Sequence, residues 1–307
     1  MNHQKTLVII LSETRCHELT FDNFKKNVID ELSADLCVCI GVKNDYDYNN
    51  PYYTLAKHRF LYNEEDDKNF AKSVEYSYRN TEVASDQKHY LYFLMLKDRV
   101  FTETSNPDSF TNFLISTYIH TFFLWFLHRN IKKFHILEKY DRFIISRSDY
   151  LYKLPFPKMK HLDPKYIWIP NGEDYFGICD RTAAVLSRQN FEPYVNILES
   201  FYKKSNKYYK NIESKKNWNM EQILKMHLEE NNVFSLVQRY PYISYCIRSK
   251  NGTTRWEAGK FSEKLGYFIK YPKEEQQASH HENDFLKSCV SIDEFYTEAI
   301  KISLRLL

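Results

Sequence analysis

The chain alternates short, continuous apolar runs with segments whose apolar positions recur at helical spacing. Residues 6–11, Thr-Leu-Val-Ile-Ile-Leu, suit a strand buried on both faces of a parallel sheet. Phe21, Phe24, Val28 and Leu32 then repeat every three or four residues, which predicts an amphipathic helix over 21–33. A second buried strand follows at 35–40, with Gly41 as its stop. This β-α-β opening implies a parallel pair with a crossover helix. Residues 43–66 are polar and tyrosine-rich and read as a long surface loop, and a charged helix is expected over about 64–80. A third apolar run spans 90–96.

The most apolar stretch runs from Phe113 to Leu127, about fifteen residues where a bilayer crossing needs about twenty. It reads as a buried core helix, with His120 as a satisfied core histidine. Residues 141–146 form another buried strand, and Tyr-Ile-Trp-Ile at 166–169 a short one between proline-rich loops. A helix is expected from about 180, and 202–216 is a lysine- and tyrosine-rich exposed stretch. Asn219 and Gln222 make a capping box that opens a helix through Leu228, and Ser291 with Glu294 opens a final amphipathic helix to Leu307. That helix is expected to pack back on the domain, with membrane contact at most peripheral. Residues 270–284 are polar and read as a mobile linker. These elements predict an α/β fold with a mixed, mainly parallel sheet flanked by helices. They divide the chain into a main domain over 1–260 and a C-terminal helical extension over 261–307.

Composition narrows the function classes. There are six glycines in 307 residues, where average usage would give about twenty. Neither glycine-rich phosphate cradle is present, which removes most of the case for Rossmann dehydrogenases, P-loop NTPases and protein kinases. The net charge of +3 argues against a dedicated nucleic-acid binder. Six cysteines without a C-x-x-C pair exclude a zinc ribbon, and no basic-apolar leader opens the chain. A reducing, cytoplasmic setting is the expectation.

Ligands of open α/β sheets bind outside the carboxyl ends of the strands. The polar residues predicted there are Ser12 to Arg15, those from Gly41 onward, and Arg147 to Asp149. Residues 171–177 hold two of the scarce glycines around Glu173 and Asp174. Such a segment brings backbone close to a sugar, or is simply an acidic turn. His161, His227, His280 and His281 stand in no zinc spacing.

The stretch 139–152, Lys-Tyr-Asp-Arg-Phe-Ile-Ile-Ser-Arg-Ser-Asp-Tyr-Leu-Tyr, resembles the donor-site segment of GT-A-type nucleotide-sugar glycosyltransferases. More narrowly, it resembles small transferases of bacterial surface-polysaccharide clusters and large DNA viruses. Residues 167–181, the opening Ser-Glu-Thr-Arg at 12–15 and the strand at 35–39 are similar to further parts of such proteins. The resemblance covers about residues 5–240. It implies transfer of a sugar from a nucleotide donor, UDP-linked by expectation, to a glycan or glycoconjugate. It also implies Mn²⁺ or Mg²⁺ on the diphosphate, held by a D-x-D motif whose last carboxylate is the direct ligand. Here the motif is Arg147-Ser148-Asp149, which makes Asp149 the expected metal ligand. Arg147 then contacts phosphate or forms a structural ion pair.

Ser12, Thr14, Arg15, Arg147, Ser148 and Glu173 are the expected donor contacts. An inverting transferase needs a general base, for which Asp174 is the first candidate, then Asp180 beside Arg181, with Glu221 bordering the site along with Trp218 and Asn219. A retaining enzyme would use these residues to hold the sugar. A carbohydrate-binding protein without catalysis, a metal-dependent nuclease and a nucleic-acid binder using 203–216 are the alternatives.

Overall fold

The computed structural model describes residues 4–64, 73, 76–77, 79–81, 109–204, 207–208, 219–251 and 259–305. The apolar run at 90–96, Trp218 and most of the expected helix at 64–80 and of the stretch 202–216 lie outside the described residues.

The chain opens with strand β1 (Thr6–Ser12), helix α1 (His17–Phe24) continued by a π-helical turn (Lys25–Asp30), and strand β2 (Asp35–Val42). β1 and β2 pair in parallel, as a crossover helix requires. Gly41 does not end β2. It lies inside the strand, opposite Tyr62. The segment expected to be a long loop contains helix α2 (Pro51–Leu55) and strand β3 (His58–Asn63). Asn50 caps α2 by accepting from the Tyr52 N–H at 3.0 Å, and Pro51 sits in the first turn, where its missing N–H costs nothing. β3 is an edge strand in which Phe60 alone is buried, so its apolar signal is weak.

Helix α3 (Ser109–Lys133) is the expected core helix. Tyr118, Phe122, Phe123, Leu124, Trp125 and Leu127 are all buried, so the helix is covered on every side in this stretch. Among the described residues, no helix is long and apolar enough to cross a membrane. Strands β4 (Arg142–Ser146), β5 (Tyr150–Tyr152) and β6 (Ile167–Pro170) follow. The helix expected from 180 begins later. Residues Ala183–Val185 form strand β7 instead, fully buried, before helices α4 (Arg188–Val195) and α5 (Ile197–Lys203). Three residues are too few to show a period, which is why the strand is silent in the sequence.

Helix α6 (Met220–Glu230) opens with the expected capping box of Asn219 and Gln222. Strands β8 (Val237–Tyr240), β9 (Ser244–Arg248), β10 (Lys260–Ser262) and β11 (Tyr267–Ile269) come next, then helices α7 (Pro272–Ser288) and α8 (Ile292–Arg305). α7 replaces the expected linker. Its polar sequence begins with Pro272 in the first turn and Glu274 and Glu275 at the positive end of the helix dipole. Glu274 and Ala278 are fully buried.

The main sheet has seven strands in the order β3-β2-β1-β4-β7-β6-β8. β3, β2, β1 and β4 run parallel, and β7 is antiparallel to both its neighbours. β5, β9, β11 and β10 form a second, antiparallel sheet. One core lies between the main sheet and α3, α4, α5 and α6. The other lies on the opposite face, under α1, α2 and α8. α8 packs back as expected, with Tyr296 and Ile300 buried in that second core. Ile300→Ala should therefore lower stability by about 2–5 kcal/mol in urea unfolding. An unchanged midpoint would mean that α8 is an appendage rather than part of the core.

Candidate active site

β1 has β2 on one side and β4 on the other, so the strand order reverses between β1 and β4. A crevice at the carboxyl ends is expected at such a point. Ser12, at the end of β1, has φ of 76°, which turns the chain out of the strand. The Ser148 hydroxyl, after β4, donates to the carbonyls of Glu13 (3.0 Å) and Arg15 (3.1 Å). The Ser148 carbonyl accepts from Thr20 Oγ1 (2.6 Å) and the Tyr52 hydroxyl (2.9 Å). Ser148 thus ties the two strand ends together. Thr14 is buried, with Asn50 donating to its Oγ1 and the Tyr46 hydroxyl 2.8 Å from that atom. Tyr46, Tyr48 and Tyr53 form an edge-to-face cluster beside it.

Asp149 is 1% exposed and surrounded by guanidinium groups. Arg147 donates from Nε to Oδ1 and from Nη2 to Oδ2, both at 2.8 Å. Arg248, at the end of β9, donates from Nη1 to Oδ2 at 2.6 Å. Arg15 Nε lies 3.9 Å from Oδ2, and Arg15 also pairs with Glu13. Burial alone would raise the Asp149 carboxyl. Arg147, Arg248 and Arg15 overcome it and hold the group well below the ordinary carboxylate range. Lys270, just past β11, is 5% exposed and has no carboxylate partner among the described residues. Burial, then Arg147 and Arg248, push its ammonium down to about 8. The second sheet delivers both added cations. The Ile247 N–H donates to the Asp149 carbonyl, and the Lys270 N–H to the Cys246 carbonyl, each at 2.9 Å.

An acidic cluster adjoins this basic one. Arg181 is 6% exposed, and its guanidinium lies 5.3 Å from the ring of Tyr175 and 5.0 Å from that of Tyr271. It pairs with Glu274 at 3.0 Å and Glu221 at 3.2 Å. One guanidinium thus serves two buried carboxylates, with Asp180 close enough to raise the Glu221 carboxyl further. Burial, then Asp180, push Glu221 up to about 8 against the pull of Arg181. Burial also raises Glu274, again against Arg181. The cluster therefore holds a proton near neutral pH. Asp180 is half-buried and has no hydrogen bond or ion pair with a described residue. His120 on α3 is half-buried and has no hydrogen-bond partner among the described residues, in place of the satisfied core histidine expected. Burial lowers its pKa, Asp180 opposes this, and Arg147 and Arg181 reinforce it.

The segment 171–177 is a strained turn. Gly172, Glu173, Tyr175 and Phe176 all have positive φ. A side chain at Gly177 would come within 2.0 Å of the Glu221 backbone, so glycine is required for the turn to lie on the start of α6. Asp174 holds the turn in shape. It accepts from Arg239 on both oxygens (2.8 and 2.9 Å) and from the Cys179 N–H (2.9 Å). The Glu173 carbonyl accepts from Arg181 at 3.3 Å. Phe176 projects outward, 92% exposed.

The strand ends thus bring Ser12, Thr14, Arg15, Arg147, Ser148 and Asp149 together, and Glu173, Asp180 and Glu221 border the adjoining cluster. Asp174 is committed to Arg239. The Asp149 donor set does not fit a divalent cation: both oxygens already accept from guanidiniums, and a metal there would face Arg147, Arg248 and Lys270 at short range. His161 contacts Asp293, His227 the Pro193 carbonyl, His280 Asp284 and His281 the Tyr242 carbonyl. Arg248, Lys270 and Glu274 are absent from any sequence-based site because they lie about a hundred residues or more beyond Asp149. The one signal for Arg248 is a charge closing an otherwise uncharged, buried strand.

No family model matches the chain, and no curated protein matches it.

The Glu221 shift has a consequence for stability. Its folded-state pKa of about 8 exceeds the ordinary 4.5, so the unfolded chain releases this proton first as pH rises. Folding is increasingly opposed between those values, and the full cost is reached above the upper one. Glu221→Gln should remove this component, so thermal unfolding of the variant should decline less than wild type from pH 5 to pH 8. Parallel curves would mean that Glu221 is ionised throughout.

Proposed function

We propose that the protein transfers a sugar from a nucleotide-sugar donor to a hydroxyl of a glycan or glycoconjugate, as a member of the GT-A type that its sequence resembles. The observation that carries this reading is the pairing of a buried basic cluster around Asp149 with a carboxylate cluster around Arg181, next to the point where the strand order reverses. The mainly parallel mixed sheet with helices on both faces is the kind of scaffold this reading requires. In such a transfer the bond from the sugar's anomeric carbon to the diphosphate breaks, and the electron pair leaves on the diphosphate. The acceptor oxygen bonds to the same carbon, and its proton passes to a carboxylate.

The basic cluster suits the leaving group, whose charge grows as the bond breaks. Asp180 suits the proton, because it alone of the three carboxylates expected to act has no hydrogen bond or ion pair with a described residue. Glu221 shares Arg181, and Asp174 is held by Arg239. We assign Asp180 as the general base of an inverting transfer, with Ser148 and Asp174 as positioning residues. The tyrosine cluster at Tyr46, Tyr48 and Tyr53 offers ring faces to a nucleobase beside Thr14. A non-catalytic carbohydrate binder would use the exposed ring of Phe176 but gives no role to the buried cations.

A panel of UDP-sugars with a glycan acceptor, read as release of UDP, tests the assignment. Asp180→Asn should lower kcat by about a hundredfold or more with little change in donor KM. Unchanged turnover would remove Asp180 from this role, and no release from any donor would remove the transferase reading.

A further inference from the structure

We propose that Arg147, Arg248 and Lys270 hold the donor's diphosphate directly, as an anion site that works without a divalent cation. This rests on the transferase reading for the identity of the ligand, while the site itself follows from charge and hydrogen bonding.

Three cationic side chains meet one carboxylate at the carboxyl ends of β4, β9 and β11. Asp149 offsets one of Arg147, Arg248 and Lys270, and Glu274 is taken by Arg181. Arg15 is balanced by Glu13. Two positive charges remain among side chains that burial removes from water. Buried charge is costly unless it is paired, and among the described residues no carboxylate other than Asp149 forms an ion pair with Arg147, Arg248 or Lys270. The diphosphate of a nucleotide sugar carries one negative charge on each phosphate, which matches the excess. A divalent cation would instead double it.

The hydrogen-bond inventory points the same way. Arg248 is 1% exposed and turns Nη1 to Asp149 Oδ2, the Cys246 thiol and the Ile247 carbonyl. Its Nε and Nη2 are buried and have no partner among the described residues. A guanidinium edge with two parallel N–H donors matches the spacing of phosphate oxygens. The bidentate Arg147–Asp149 pair fixes the Asp149 carboxylate, so that Arg248 presents this edge in one orientation. Lys270 adds a compact charge beside it.

Isothermal titration calorimetry on the full chain tests this with UDP and with inorganic pyrophosphate, each in EDTA and each with Mn²⁺. Both should bind in EDTA, and Mn²⁺ should not tighten binding. Lys270→Met should weaken pyrophosphate binding by about tenfold or more, the loss of one charge-assisted contact. The same variant should melt higher than wild type, because it removes a buried ammonium with no carboxylate partner. A merely structural lysine would give the opposite change in melting. Arg248→Met should abolish binding, and Lys270→Met keeps the test valid if that variant fails to fold. Binding that requires Mn²⁺, or no pyrophosphate binding under either condition, would overturn the proposal. Pyrophosphate binding in EDTA without any sugar transfer would support the anion site and count against the transferase reading alone.

Discussion

A single buried carboxylate, Asp149, sets the arrangement of this protein. It sits where β4 leaves the main sheet and β5 enters the second one, and its backbone carbonyl is paired to β9. Its side chain accepts from Arg147 and Arg248 and lies close to Arg15. Both sheets and the β1 turn therefore converge on one acceptor. Removing one partner from a buried pair costs about 3–5 kcal/mol, since the other charge is left without compensation. Asp149 is best understood as the anchor that lets several guanidiniums share a small buried volume. Its own oxygens are occupied by that task.

The neighbouring cluster has the opposite balance. Arg181, beside the rings of Tyr175 and Tyr271, is shared by Glu221 and Glu274, with Asp180 alongside. Basic and acidic groups are thus segregated into two adjoining buried clusters, an arrangement that costs stability in the free protein. In the proposed transfer, the basic side would stabilise the departing anion and the acidic side would accept a proton. His120, whose pKa burial lowers, lies on helix α3. The strained turn at 172–176 is locked by Asp174–Arg239 and rests on the start of α6 through Gly177.

Much of this frame is legible in the sequence. Continuous apolar runs mark β1, β2 and β4 because those strands are covered on both faces, and the capping boxes at Asn219 and Ser291 mark the starts of α6 and α8. The signal fades where burial is partial or the element is short. β3 buries only Phe60, and β7 is three residues long. α7 was hidden for a different reason. Its polar composition reads as a linker, yet Glu274 enters the core because Arg181 neutralises it. Half of the site was legible at the ends of β1 and β4. Arg248, Lys270 and Glu274 were not, since their roles depend on the second sheet folding back across about a hundred residues of chain. The scarcity of glycine takes on a positive meaning in this light. On the proposed reading, side-chain cations take the part that a glycine-rich backbone cradle would otherwise play.

The most direct test of this account is a crystal structure grown with UDP and Mn²⁺, with anomalous scattering recorded at the manganese edge. The account predicts diphosphate density against Arg147, Arg248 and Lys270 and no anomalous peak at Asp149. A manganese ion bonded to an Asp149 oxygen, with the guanidiniums displaced, would contradict it.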